Sequence, residues 1–292
     1  TEDFVLFDSV RGATKYIKVN VNEAEATDTG SLKAFASDGF TLGTAGRSNN
    51  NTNTFAAWCW KESADAGFDI LTYVGDNQSG TTVAHALSAI PHWMLIKNLN
   101  SAEKPAVYHK SVASSSPEDY FMTMSDTTAR YDDGSFLNDT APTSSIFTLG
   151  NTQGISESGS TMVAYLWTSI QGYSKFGSYI GNGGTGTSGP FVYTGFKPAF
   201  VMIKKTSAVG SWLLFDNKRA STSNIPEGTT GVPSYLEPNT TGTEQGDNPI
   251  FLFANGFQCL DSLTNTDGAN YIFMAFAEAP FVNSNGVPCN AR

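Results

Sequence analysis

The sequence predicts an all-β protein made of tandem antiparallel β-sandwich repeats, with a jelly-roll or lectin-like architecture. Its apolar residues fall in short runs rich in β-branched and aromatic types, and each run is bounded by Gly, Pro, Asn, Asp or Ser. Only 15% of the 292 residues are charged, which is typical of chains with many short strands and polar turns. Blocks of sequence also recur at roughly 110-residue intervals, which indicates repeated units of one fold.

Three blocks define the repeat. The tetrapeptide FTLG begins at Phe40 and Phe147, and a diverged version, FQCL, begins at Phe257. The block that precedes it is VLFDSVRGA from Val5, AVYHKSVAS from Ala106 and LLFDNKRAS from Leu213. The apolar run that follows it is FAAWCW from Phe55, MVAYLW from Met162 and IFMAFA from Ile272. The chain therefore contains three copies of this half of the repeat.

A fourth block occurs only in the second and third copies. It is TYVGDNQSGTTVAHALSAIPHWMLIKN from Thr72 and SYIGNGGTGTSGPFVYTGFKPAFVMIKK from Ser178. Each version predicts a strand ending in Gly, a polar turn, a second strand, a Pro-containing turn and an apolar strand that ends in Lys. The first copy thus lacks its first half. Because the chain starts with Thr1 and not Met, we expect that half upstream in a longer polypeptide.

The predicted organisation follows from these blocks. Residues 1–61 form the second half of a first repeat, residues 62–67 and 169–174 are linkers, residues 68–168 and 175–282 are complete sandwiches, and residues 283–292 are a polar tail. Seven strands are predicted in the second copy: DILTYVG, TTVAHAL, HWMLIKN, AVYHKSV, YFMTM, SIFTLG and TMVAYLW. Seven strands suit two antiparallel sheets packed face to face.

Helices are not expected. The longest candidate, NVNEAEATDTGSLKAF from Asn20, is interrupted by Gly30, and we interpret it as a loop with one helical turn at most.

Several predicted strands are apolar at nearly every position, notably residues 93–96, 200–203 and 271–277. A strand with one solvated face should carry a polar residue at every second position, so these strands should be covered on both faces. A neighbouring repeat or another subunit is the expected cover. In the last strand of each copy, we expect Trp58, Tyr165 and Phe276 to be largely buried.

The charge distribution excludes several partners. The net charge of −10 is spread along the chain without a Lys/Arg cluster, so nucleic acid and anionic membranes are not expected partners. There is no apolar run of about 20 residues and no secretion signal, which predicts a soluble protein without membrane insertion.

Cysteine and histidine do not suggest a metal site. Cys59, Cys259 and Cys289 lack the spacing of a zinc site or a disulfide framework, and we interpret them as buried thiols. His85, His92 and His109 form no ligand pattern. The counterparts of His109 in the other copies are Asp8 and Asp216, which favours a polar group at a strand end over a ligand or catalytic base.

Three loops carry residue types that occur in ligand-binding loops. GNGGTG at 181–186 lies between two strands, whereas a phosphate-binding loop leads into a helix, so a flexible hairpin loop is predicted. YDDGS at 131–135 and NTDGA at 265–269 lack the alternating acidic residues of a calcium loop, and turns are the better interpretation. Composition leaves open a carboxylate pair for glycoside hydrolysis. We predict no catalytic, cofactor or metal residues, and the sequence does not identify binding residues.

A family resemblance adds to this picture. GYSKFGSYIGNGGTGTSGPFVYTGFKPAFVMIKKT from Gly172, YIFMAFAEAPF from Tyr271, and FDSVRGATKYI with AFASDGFTLG near the start resemble the repeated domains of tail-fibre and related virion proteins of tailed bacteriophages, especially those of aquatic bacteria. The resemblance covers residues 4–281. It implies an extracellular protein on the virion surface, non-enzymatic, assembled as a homo-oligomer, most simply a trimer, and attached to other virion proteins.

The same resemblance implies a host-surface glycan or protein as the target. Two alternatives remain at this level: a capsid-surface decoration protein, and a polysaccharide-degrading tail spike. A degrading enzyme should have a cleft with two facing carboxylates, whereas an adhesin should have shallow aromatic or polar sites.

Overall fold

The computed structural model describes residues 3–219, 234–246, 249–279, 281–282 and 288–289. In this part of the chain the secondary structure is nearly all β, and every strand pairing is antiparallel, which confirms the predicted all-β antiparallel class. The α-helices here are single turns of four residues, α1 (Gly46–Asn49) and α2 (Gln153–Ser156). Three 3₁₀ helices complete the non-β elements: Ala64–Ala66, Pro117–Asp119 and Gly186–Ser188.

The first segment of the chain forms two small sheets. Its strands are β1 (Val5–Phe7), β2 (Lys15–Lys18), β3 (Ala26–Thr27), β4 (Leu32–Phe35) and β5 (Phe40–Leu42). They pair in the order β1-β2-β3 and β4-β5.

Two predictions for this segment are wrong. The stretch from Asn20 is not a loop, because it contains β3 and β4, whose pairing with β2 and β5 overrides a weak local pattern. FAAWCW, residues 55–60, is not a strand. This run has no strand partner in the described chain, so no ladder forms.

The middle segment forms a six-stranded sheet and a two-stranded sheet. Its strands are β6 (Phe68–Val74), β7 (Thr81–Ala84), β8 (Trp93–Asn98), β9 (Ala106–His109), β10 (Tyr120–Thr123), β11 (Tyr131–Asp132), β12 (Ile146–Leu149) and β13 (Thr161–Trp167). The large sheet has the order β11-β10-β9-β8-β13-β6, and β12 pairs with β7. All seven predicted strands are present, and β11 is an additional one.

The third segment forms a five-stranded sheet and a three-stranded sheet. Its strands are β14 (Ser174–Ile180), β15 (Phe191–Tyr193), β16 (Pro198–Lys205), β17 (Trp212–Asp216), β18 (Tyr235–Leu236), β19 (Ile250–Phe253), β20 (Gly256–Cys259) and β21 (Asn270–Ala277). The orders are β14-β21-β16-β17-β18 and β15-β20-β19. From β6 to β10 and from β14 to β18, the two large sheets share one strand order.

A hairpin of β22 (Phe281–Val282) and β23 (Pro288–Cys289) follows β21. It crosses the boundary predicted between the third repeat and the tail, so the tail contributes a strand. The remaining tail residues, 283–287 and 290–292, lie outside the described residues.

Strand pairing corrects the alignment of the last block by one residue. Lys97 pairs with Val163, and its sequence counterpart Lys204 pairs with Ile272. Val163 and Ile272 are therefore equivalent in the sheets, whereas the sequence blocks aligned Met162 with Ile272. A shift of one position exchanges the two faces of a strand. Trp167 and Phe276 become the structural counterparts.

The large sheets are covered on both faces, as predicted. On β8, Trp93 and Leu95 face one hydrophobic core, and Met94 and Ile96 face another. The first of these, the shared core, joins the large sheets of the middle and third segments and includes Ile17 of the first segment. The other faces of the two large sheets pack against the small sheets in separate cores. One face of each large sheet is therefore covered by other segments of the same chain, and the other face by the small sheet of its own segment.

The expected burial of the last-block aromatics is confirmed in two of three copies. Tyr165 and Phe276 are 1% and 6% exposed, but Trp58 is only partly buried. Its neighbour Trp60 enters the shared core, where its ring centroid lies 6.1 Å from that of Trp167 and 5.5 Å from that of Phe276. The last block of each copy thus sends an aromatic ring to one cluster.

Candidate functional site

A buried ionic network links the first segment to the middle segment. Arg11 binds the carboxylates of Asp8 and Glu25, and it also donates to the backbone oxygen of Leu6. The hydroxyl of Tyr165 donates to Asp8 at 2.6 Å and accepts from Arg11 at 3.1 Å. The Arg11 and Asp8 side chains are each 2% exposed. The network is a closed structural contact because no surface is left for a ligand.

The third segment repeats this network. Arg219 binds Asp216 and Glu244 and donates to the backbone oxygen of Leu214, the same set of partner types in the same spacing from Asp to Arg. Its guanidinium carbon lies 5.7 Å from the ring centroid of Trp58 in the first segment. In both networks an Arg of one segment contacts the last-block aromatic residue of another segment, so these charges hold segments together.

Backbone hydrogen bonds hold the rings of His92 and His109 in the packing. His109 ends β9, is fully buried, and accepts a hydrogen bond from the Ser111 backbone at Nδ1. Burial lowers the pKa of His109 to about 3 and that of His92 to about 4. The Nδ1 atom of His92 accepts from the Ser169 backbone N–H at 2.9 Å. These rings are neutral polar groups in the packing at neutral pH.

Two buried lysines occupy equivalent strand ends. Lys97 and Lys204 are 0% exposed. The ammonium of Lys97 donates to the carbonyls of Asn98 and Ser101, and that of Lys204 donates to the carbonyl of Gly210. Burial lowers the pKa of each lysine to about 8. Both ammonium groups therefore close loops and are not available to a ligand.

The cysteines differ from the prediction in one case. Cys259 is buried, and burial raises its pKa to about 12. Cys59 is exposed because the run that carries it has no partner strand, so its interpretation as a buried thiol is wrong. The side chain of Cys289 lies outside the described residues.

The loop at 181–186 is fastened to the turn at 265–269. Asn265 donates to the side-chain oxygen of Asn182 at 2.9 Å and accepts from the Asn182 backbone at 2.7 Å. Gly268 donates to the carbonyl of Gly181. In the other acidic turn, Asp133 accepts from the backbone of Ser135. Among the described residues no group of three or more His, Cys, Asp or Glu could hold a metal ion.

Two open clefts contain polar groups. One, of about 280 Å³, is lined by Glu103, Lys104, Phe121 and Tyr131 among others, and Lys104 is paired with Asp126. The other, of about 410 Å³, brings together Glu62, Asp69 and His85. One oxygen of Asp69 accepts from the Ala86 backbone at 2.7 Å, which leaves the other oxygen for a second partner. Two carboxylates thus line a single cleft.

The three-stranded sheet of the third segment carries an aromatic patch on its outer face. Phe191 and Tyr193 on β15 are 47% and 53% exposed, while Val192 between them points into the core. Phe251 and Phe253 on β19 lie in the same rows of the sheet, on either side of β20. The rings of Phe191 and Phe253 are 5.7 Å apart, and Lys175 lies 5.1 Å from the Tyr193 ring.

We define the aromatic patch as Phe191, Tyr193, Phe251 and Phe253. A strand with one solvated face should carry a polar residue at every second position, and FVY and FLF break that rule with apolar residues on both faces. These two apolar triplets are the sequence signal of the patch, which the sequence analysis did not predict. Contiguous exposed apolar patches mark interaction sites. The patch is shallow and open, and is the candidate binding site of the molecule.

In the described part of the chain no helix is long and apolar enough to cross a membrane. No curated protein and no solved structure matches the sequence. One family model does match, over residues 1–280, and its description is "Domain of unknown function (DUF7483)". Since that match includes all three segments, the chain belongs to the DUF7483 family.

Proposed function

We propose that the middle and third segments are two copies of one β-sandwich and that the first segment is the second half of a third copy. The support is the common strand order of the two large sheets, the small sheet opposite each, and the Asp–Arg network present in the first and third segments. In this account each sandwich packs its large sheet against the shared core.

We further propose that the protein is a non-enzymatic virion component, a tail-fibre or related projecting module that binds a host surface glycan or protein. The observation that carries this proposal is the aromatic patch, because exposed rings on a rigid sheet offer flat apolar faces of the kind that stack on sugar rings. The charged groups shared by the repeats serve the packing between segments, not a reaction centre.

The proposed setting is the virion surface, outside the cell. Homo-oligomerisation, most simply as a trimer, and attachment to other virion proteins belong to the same proposal. One shallow patch binds weakly, and several tethered copies would bind far more strongly, since each further contact is effectively intramolecular.

Retention on cells tests the proposal. Purified protein is incubated with a panel of aquatic bacteria and with their extracted surface polysaccharides, and the chain length of the polysaccharide is measured afterwards. We expect retention on cells of at least one strain with no shortening of the polysaccharide. The double variant Phe191→Ser/Tyr193→Ser should lose at least tenfold in retention. Val74→Ser, at an exposed apolar residue outside the patch, is the matched control and should bind normally.

The cleft of Glu62, Asp69 and His85 favours one second candidate, a polysaccharide-degrading tail spike. Glycoside hydrolysis uses two carboxylates on either side of the scissile bond, and this cleft holds two. Oligosaccharide release that is abolished by Glu62→Gln or Asp69→Asn, and kept by Glu103→Gln in the other cleft, would establish the enzyme and refute the adhesin. Capsid decoration instead predicts no retention on cells.

A further inference from the structure

The first segment exposes several large apolar side chains on and just after one hairpin. Phe35, Phe40, Leu42 and Phe55 are 43%, 38%, 38% and 47% exposed, respectively. We call these four residues the open face. Three of them lie on the β4-β5 hairpin, and Phe55 begins the unpaired run that follows it. Exposed apolar residues clustered in one region indicate a surface that another element covers.

The counterparts of Phe40 and Leu42 are buried in the other two copies. Phe40 corresponds to Phe147 and Phe257, both of which are 0% exposed. Leu42 corresponds to Leu149 and Cys259, which are 1% and 0% exposed. The same sequence block is therefore solvated in one copy and enclosed in two, so the difference comes from the surroundings and not from the block.

Strand pairing identifies what encloses the counterparts. Strand β12, which carries Phe147, pairs with β7, and β20, which carries Phe257, pairs with β15. Both partners, β7 and β15, belong to the first half of their repeats. In the described chain β5 pairs only with β4. The β5 edge thus lacks the strand that completes the small sheet in the other copies.

A second open edge gives the same result independently. Strand β9 lies between the first-half strand β8 and the later strand β10, and β17 lies in the same way between β16 and β18. Their counterpart β1 pairs only with β2 in the described chain. In the first segment one edge of β1, one edge of β5 and one apolar face are therefore uncovered. A first-half segment covers the equivalent surfaces in the other two copies.

We propose that the open face and the free edges of β1 and β5 are the docking surface for a third first-half segment, equivalent to residues 68–101, carried on the same polypeptide ahead of β1. In both complete copies the first half leads directly into the counterpart of β1, which is the reason for placing the occupant in the same polypeptide. A second copy of this chain does not fit, because its first-half strands β6, β7 and β8 are already paired.

This inference rests on the proposed repeat correspondence and not on host attachment. Docking would pair the run at residues 55–60 between two new strands, as β13 is paired between β6 and β8. Cys59 in that run is exposed, and its counterpart Leu166 is 0% exposed. Docking therefore buries the Cys59 side chain, which gives a chemical readout.

The test is the alkylation rate of Cys59, resolved by mass spectrometry of its peptide. Three proteins are compared: the chain of residues 1–292, a fusion with a copy of residues 68–101 placed before Thr1, and the same fusion with Val83→Asp in the appended copy. Val83 pairs with Phe147 across the small sheet, so the control cannot cover Phe40 without burying a charge. We expect the Cys59 rate to fall at least tenfold in the fusion only.

Equal Cys59 rates in a folded fusion and in the other two proteins would overturn the proposal. So would concentration-dependent protection of Cys59 in the unmodified chain, because a second copy would then be the occupant. If the fusion does not fold, the polypeptide of residues 68–101 is added in trans to the unmodified chain, where protection supports the proposal and its absence at saturating concentration refutes it. No step uses cells or glycans, so failure here is distinct from failure of the adhesin proposal.

Discussion

Two arginine side chains in this protein lie where segments meet. Arg11 and Arg219 each hold a carboxylate three residues earlier and each reach an aromatic residue of a different segment. Val112 occupies the corresponding position in the middle segment and lies in the shared core. An apolar residue can replace Arg there only because its neighbour is His109 and not Asp, so no carboxylate is left unpaired.

Loss of the Asp8 charge should destabilise the protein strongly. Asp8→Asn leaves the buried guanidinium of Arg11 with one carboxylate and weakens the bond from Tyr165, which should lower the free energy of unfolding by about 3 kcal/mol. Urea unfolding followed by circular dichroism measures this. Lys104→Met, which removes the half-exposed pair with Asp126, is the control and should cost less than about 1 kcal/mol. Equal effects would show that the network is not buried.

The two buried lysines should make stability depend on pH. Each has its pKa lowered to about 8 in the folded protein, against 10.5 in the unfolded chain. Between these values the unfolded state holds more protons, so the free energy of unfolding should rise with pH, by up to about 1.4 kcal/mol per pH unit for each lysine. The measurement is urea unfolding at pH 7.5, 8.5 and 9.5.

The variant Lys97→Met/Lys204→Met should flatten that rise, and the exposed Lys61→Met should leave it unchanged. A rise that persists in the double variant would assign the pH dependence to other groups.

At the scale of elements, equivalent phenylalanines should differ in their contribution to stability. Truncating a buried Phe to Ala costs about 3–5 kcal/mol through lost burial and the cavity left behind. Phe147→Ala and Phe257→Ala should show this cost, because both rings are fully buried. Phe40→Ala should cost less than about 1.5 kcal/mol because its ring is 38% exposed. Thermal and urea unfolding of the three variants measure the loss in the free energy of unfolding. Equal losses in all three would contradict the assignment of the open face.

Strands that are rich in apolar and β-branched residues were predicted from the sequence. Short strands that form only through pairing with a neighbour were missed. The seven strands of the middle segment were identified because apolar and β-branched residues fill them. Strands β3 and β11, of two residues each, have no such signal and exist through their partners. Conversely, residues 55–60 have a strand sequence but lack a partner. The one-residue shift between β13 and β21 is likewise set by register, which a comparison of apolar blocks does not fix.

The candidate site was harder to predict from the sequence than the fold. Isolated histidines, Gly-rich loops and acidic turns could be weighed one by one, but the aromatic patch depends on two strands far apart in sequence lying on either side of β20. The cleft with Glu62 and Asp69 depends on which carboxylate is left open by backbone contacts. Both are properties of tertiary packing.

At the scale of the whole molecule, the shared core predicts a single unfolding transition. Residues of all three segments pack in that core, and Trp60 joins Trp167 and Phe276 there. Tryptophan fluorescence and far-UV circular dichroism should therefore report coincident transitions. Trp60→Ala should lower the common midpoint by an amount equivalent to about 2–3 kcal/mol. Two separated transitions, with only one affected by Trp60→Ala, would show that the segments fold independently.

On the repeat architecture, the patch and the family resemblance, we propose that this protein projects from a virion toward the host. The most direct test is to locate the chain on particles of a phage that encodes it, by electron microscopy with gold-labelled antibodies. We predict label on fibres or other projections of the tail, at distances from the capsid that are constant between particles. Label distributed over the capsid faces, or absent from intact particles, would contradict the proposal.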